Sequence, residues 1–143
     1  MLEFPRTKHG ADGQVVRLPR LLALHPVVCQ AHWHLRNEVE RFYGDLLGLG
    51  SPLSQIESSG TLLLVFHNDG PDLLIRLTDQ PEVWANRPRL VLEVPDLEAI
   101  RSRLQDECIE YQTLQGWSWP DQRLGLWDPS GNRLEIKRLW GAF

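Results

Sequence analysis

Cysteine is scarce: only Cys29 and Cys108 occur, far apart and in neither a CxxC pair nor a zinc-type spacing. That excludes a disulfide framework and a thiolate zinc site, and the apolar neighbours of both thiols predict buried free cysteines in a reducing, cytoplasmic setting. Long apolar runs are missing too. None approaches the roughly 18 residues of a membrane helix, and the opening MLEFPRTKHGADGQ is too polar for a secretory leader, so no membrane role is expected. Positive charge is in deficit, with 15 Lys and Arg against 19 Asp and Glu and a net charge of −4. The cations are scattered, which leaves no footprint for nucleic acid. GxSxG, Walker, HExxH and paired Cys/His nucleophile patterns are all absent, which argues against a hydrolase. What the chain does have is tryptophan, six against two tyrosines in 143 residues. Such rings serve pockets and interfaces as well as cores.

Residues 1–20 combine Pro5, Gly10, Gly13 and Pro19 with charge and show no apolar period, predicting a flexible or loosely docked arm before a domain over 21–143. From Val27, the run VVCQAHWHL alternates. Val27, Cys29, Ala31, Trp33 and Leu35 form one face, and Val28, Gln30, His32 and His34 the other, predicting a half-buried strand. Val39, Phe42, Tyr43, Leu46 and Leu47 then fall on one helical stripe, with Asn37 as the expected cap, Glu40 three residues on, and Gly48 as the stop. SPLSQIE, TLLLVFHN and DLLIRLTD read as three strands divided by turn residues. The order then repeats: strand RLVLEV, a helix opened by Pro95-Asp96, then strands in CIEYQTL, QRLGLWD and NRLEIKRLW. Two βαβββ modules, about 27–78 and 89–139, predict an α+β fold: a curved mixed sheet with its helices on the outer face and the other face free for a ligand.

RFYGDLLGL, LVLEVPDLEAIRSRL and DPSGNRLEI, in that order, resemble the signatures of the vicinal oxygen chelate superfamily, which includes glyoxalase I, extradiol dioxygenases and bleomycin-resistance proteins. The resemblance spans roughly residues 27–138. It implies a cup in which metal-dependent members hold a divalent ion with four side chains, from the first and last strand of each module. On that pattern Glu135 matches the final carboxylate ligand and is the candidate catalytic residue. The other positions fall at Val28, at about Arg89, and among Leu74, Arg76 and Thr78. None of these is a strong ligand, and several donors together are needed to replace a metal's water.

Strand phase assigns what replaces the cage. Val28, Gln30, His32 and His34, with Arg76, with Arg89, Val91 and Glu93, and with Arg133, Glu135 and Lys137, are expected on one polar face. Gln30, His32, Arg76, Arg89 and Glu93 are the candidate ligand contacts there, and an arginine suits a carboxylate or phosphate. Alternatively Glu135 pairs with one of the arginines. His32 and His34 with Glu135 would make a two-histidine, one-carboxylate site for Fe, Mn, Ni or Zn. Trp117, Trp119 and Trp127 surround a Gly- and Pro-containing loop that reads as a ligand-stacking lid or a subunit interface, and relatives of this size suggest a homodimer.

The leading expectation is therefore a protein that binds a small organic molecule in its cup with no resident cofactor. The alternatives are a metal-dependent lyase, isomerase or dioxygenase using Glu135 with His32 or His34, and a dimeric interaction or regulatory module with a vestigial cup.

Overall fold

The computed structural model describes residues 7–9, 15–81, 87–115 and 122–138, with the backbone alone described at 7–9 and 15–17. Within the stretch read as an arm, β1 (Thr7–His9) and β2 (Val15–Arg17) pair as an antiparallel hairpin. The short strand β3 (Arg20–Leu21) lies antiparallel on a strand of the second module. Sheet structure thus begins inside the expected arm.

The first module runs β4 (Val27–His32), a 3-10 turn over Trp33–Leu35, helix α1 (Arg36–Glu40), one π-helical turn over Arg41–Leu46, β5 (Leu53–Ile56), β6 (Leu62–Phe66) and β7 (Leu73–Thr78). The second runs β8 (Arg89–Val94), α2 (Leu97–Asp106), β9 (Gln112–Gln115), β10 (Gln122–Trp127) and β11 (Arg133–Arg138). The repeated βαβββ order is present, and the curved sheet resolves into two hydrogen-bonded sheets, β4-β7-β6-β5 and β3-β8-β11-β10-β9. Each is mixed, because the first and last strands of a module lie parallel, β4 on β7 and β8 on β11, and the rest are antiparallel.

Two local expectations are corrected. Strand β4 ends at His32, so Trp33 and His34 leave the pleat, and Trp33 is about half exposed instead of joining the apolar face. Helical backbone starts at Trp33, not after Asn37: the His32 imidazole accepts a hydrogen bond from His34 N at 3.1 Å and acts as the cap. A histidine Nδ1 two residues from an unpaired helical N–H fills the role usually held by Ser, Thr, Asp or Asn. In the second module Asp96 caps α2 as expected, accepting from Ala99 N at 3.0 Å.

The glycines of RFYGDLLGLG are explained by the backbone. A Cβ on Gly44 would come within 2.8 Å of the Gly50 carbonyl oxygen, and Gly48 sits at φ 85°, where only glycine is unstrained. The close approach lets the chain wind wide, with Leu49 N bonding Tyr43 O and Gly50 N bonding Gly44 O, both at 3.0 Å. This winding turns Phe42, Tyr43, Leu46 and Leu47 into one core that also takes Cys29, Ala31, Leu73 and Ile75 from the first sheet and Leu90, Leu92, Leu134 and Ile136 from the second. Each of the leucine, isoleucine and phenylalanine side chains, once fully buried, contributes roughly 1.5–3 kcal/mol against the entropy of ordering the chain. Because strands alternate, burying these residues turns their sequence neighbours onto the opposite face of each sheet, and the candidate site lies there.

Candidate functional site

The two signature segments meet. Tyr43, fully buried beneath the wide helical turn, donates to Asp128 Oδ2 at 2.6 Å. The same oxygen accepts from Asn132 Nδ2, and Asp128 Oδ1 accepts from Ser130 N and Asn132 N, each at 2.8 Å, which closes the DPSGN turn. Asn132 Nδ2 also reaches the Gln30 carbonyl on β4 at 3.2 Å. DPSGN is therefore both a turn and a staple between modules. Burial, then the adjacent Asp128 charge, push the Tyr43 hydroxyl well above its usual range, so it serves as a donor and not as a base. The nearby Cys29 thiol is pushed up to about 12, chiefly by burial and next by Asp128. Cys29 is buried as expected, whereas Cys108 is exposed, a correction that follows from its position just past the end of α2.

On the first sheet, Cys29, Ala31, Leu73 and Ile75 point into the core, so Val28, Gln30 and His32 share the other face with Leu74, Arg76 and Thr78, their register partners on β7. Arg76 is held by Glu57, with Nε to Oε1 at 2.7 Å and Nη2 to Oε2 at 3.2 Å. That hydrogen bond, more than the charge beside it, holds the Glu57 carboxyl below its ordinary value.

The second sheet carries more charge. Opposite buried Leu90, Leu92, Leu134 and Ile136 lie Arg89, Val91 and Glu93 on β8, Arg133, Glu135 and Lys137 on β11, and Arg123, Gly125 and Trp127 on β10, with Arg20 of β3 paired to Glu93. Five cations thus share a face with two carboxylates, in a chain of net charge −4. Glu93 is buried: Arg20 Nε bonds Oε1 at 2.9 Å and Lys137 Nζ stands 4.0 Å from Oε2, so this carboxylate anchors the edge strand. Glu135 lies between two arginines, Arg89 at 3.5 Å and Arg123 at 3.3 Å, and its side chain is 12% exposed. The ion pairing weighed for Glu135 is what the geometry contains.

Of the expected site residues, Gln30, His32 and Arg76 gather on the first sheet and Arg89, Glu93 and Glu135 on the second. Trp117 and Trp119 lie outside the described residues. His34 does not join the face of His32: it sits on the 3-10 turn with its ring stacked on the His32 ring, centroids 4.7 Å apart and planes 14° apart. Nearly parallel stacked imidazoles aim their in-plane lone pairs side by side and not at a common centre, and His32 Nδ1 is already bonded to a backbone N–H. Arg20 and Arg123 were missed. Arg20 was hidden in the stretch read as an arm, while the alternation of QRLGLWD was enough to find Arg123.

The donor set does not fit the metal the resemblance implies. Val28 and Leu74 have no donor atoms, Arg89 brings a cation, and Glu135 already neutralises two guanidinium groups. Among the described residues no three His, Cys, Asp or Glu side chains cluster as a metal would require.

No family model and no curated protein sequence matches the chain. Solved structures do. A glyoxalase family protein from Enterococcus faecalis superposes with a TM-score of 0.62 at 19% identity, over 80% of this chain and 96% of that one. A lactoylglutathione lyase from Agrobacterium tumefaciens gives 0.58 at 18% identity, over 84% and 97%. An antibiotic binding protein from a Streptomyces species gives 0.57 at 21% identity, over 82% and 97%. The chain has the fold shared by these glyoxalase-like proteins, as its two βαβββ modules and its signature segments led one to expect.

Proposed function

We propose that the chain binds a small organic ligand on the open faces of its sheets, without the four-ligand metal cage of the metal-dependent chelate enzymes. One observation carries the reading: Glu135, alone in matching a ligand position, is clamped between Arg89 and Arg123. The cationic excess around it favours a ligand bearing a carboxylate or phosphate, which arginine binds in bidentate fashion. The likeness to an antibiotic binding protein is compatible with a binding role, and the likeness to a lyase is compatible with the alternative.

The test is elemental analysis of protein purified without a histidine tag, together with thermal-shift screening of small organic acids and their neutral analogues. Far less than one equivalent of transition metal is expected, with stabilisation by acids that weakens in Arg89→Gln. Stoichiometric Fe, Mn, Ni or Zn that disappears in Glu135→Ala would overturn the reading in favour of a metal-dependent lyase, isomerase or dioxygenase. A screen in which no organic molecule stabilises the protein would leave the interaction module.

A further inference from the structure

Arg133 differs from its neighbours. Arg20 and Arg89 each hold a carboxylate, and so do Arg123 and Lys137, but among the described residues Arg133 has none. Its guanidinium instead lies over the indole of Trp127, 5.2 Å from the ring centroid. The strand beneath makes room for it, since a Cβ on Gly125 would collide with the Arg133 guanidinium, whose Cζ would stand 3.1 Å away. Gly125 is register partner of Glu135, and Trp127 of Arg133, so a small residue and a large one on β10 together seat one cation. Around it opens a depression of about 390 Å³, also lined by Tyr111, Gln112 and, at its exposed rim, Glu110. A volume of that order holds a ligand of one or two rings.

The indole beside it shapes what this cation can do. A guanidinium over an indole, with no carboxylate of its own, still has N–H groups to offer an acceptor, and a carboxylate can take two of them side by side. An aromatic ring carried by that carboxylate would meet the apolar part of the lining, Ile109, Tyr111 and Trp127.

We propose that Arg133, seated by Trp127 and Gly125, is the recognition site for the carboxylate of a flat aromatic acid. The proposal rests on the reading of the open sheet face as a ligand surface, and adds where the acid group docks and which molecules qualify. Glu110 at the rim opposes an anion, so it sets the affinity and its removal is informative.

The experiment is isothermal titration of the full chain with 2-naphthoate and, as the uncharged counterpart, 2-naphthamide. The wild type is expected to bind the acid at least about tenfold more tightly than the amide, from the loss of a charge-assisted pair. Arg133→Gln is expected to abolish that preference, Arg133→Lys to restore only part of it because the bidentate fork is lost, and Glu110→Gln to tighten the acid alone. Gly125→Ala, which displaces the guanidinium without removing charge, is expected to weaken the acid too. Should that variant fail to fold, the two Arg133 variants and Glu110→Gln still decide the matter. Equal affinity for acid and amide, or a preference for the acid that survives in Arg133→Gln, would overturn the subsite while leaving organic-ligand binding intact. No binding of either probe would overturn the subsite, and the screen of organic acids decides separately whether the wider reading also falls.

Discussion

Asp128 is the residue on which most depends, since one buried carboxylate receives a hydroxyl, a side-chain amide and two backbone N–H groups. In water those donors would be satisfied anyway, so the net gain per bond is modest. Inside the protein an orphaned donor costs more than the bond was worth. Tyr43→Phe, which removes the hydroxyl and leaves Asp128 with three other donors, is expected to cost about 1–3 kcal/mol, and Asp128→Ala, which strands four donors, more than that. Urea denaturation of the two variants checks the order. A loss in Asp128→Ala no larger than that in Tyr43→Phe would mean that the carboxylate is not the hub that joins the signatures.

At the scale of elements, the wide helical turn over Arg41–Leu46 is the feature most dependent on a single atom. Were it an ordinary helical turn, alanine at Gly44 would be an improvement, by about 1 kcal/mol on helix propensity. Here a Cβ would press on the Gly50 carbonyl at 2.8 Å, where backbone and not a pliable side chain must yield. Gly44→Ala is therefore expected to destabilise, with a lower thermal midpoint by differential scanning calorimetry, although every propensity scale favours it. A raised midpoint would show that the π turn relaxes into regular helix without loss. The cap illustrates the same local logic. His32 ends β4 and starts the helical turn at once, so extending the strand through His34 breaks down where a side chain offers the first helical N–H a partner.

Over the whole molecule, the modules share one core and are tied by Tyr43–Asp128 and by Asn132 on the Gln30 carbonyl, and Leu21 N on Asn68 Oδ1 at 2.9 Å ties β3, which lies on the second sheet, to the first module. Neither module has a core of its own to keep when the other opens, so unfolding is expected to be one cooperative event. The cysteines report on it. Cys108 is exposed and is expected to react with a thiol reagent at once, whereas Cys29, buried and with its thiol pushed up to about 12, is expected to react only through global opening, at a rate that follows the urea transition. Because its folded value lies above the ordinary thiol value of 9.0, the stability linked to Cys29 is present below that value and is lost as the pH rises through about 12. Labelling of Cys29 well before the transition would show that the first module opens by itself.

The sequence by itself determined the order of elements within the two modules, the inward face of their strands up to His32 in the first, the turns and the stop at Gly48, because period and turn chemistry are local properties of a few neighbouring residues. It also placed Glu135, Arg89 and Glu93 on one face, since alternation is counted along a strand. Which of those charges are already satisfied was decided only by the tertiary structure. Arg89 comes to Glu135 from β8 and Arg123 from β10, and Arg20 crosses to Glu93 from outside the repeat. Register between strands brings these ions together, and register depends on how two sheets bury one common core.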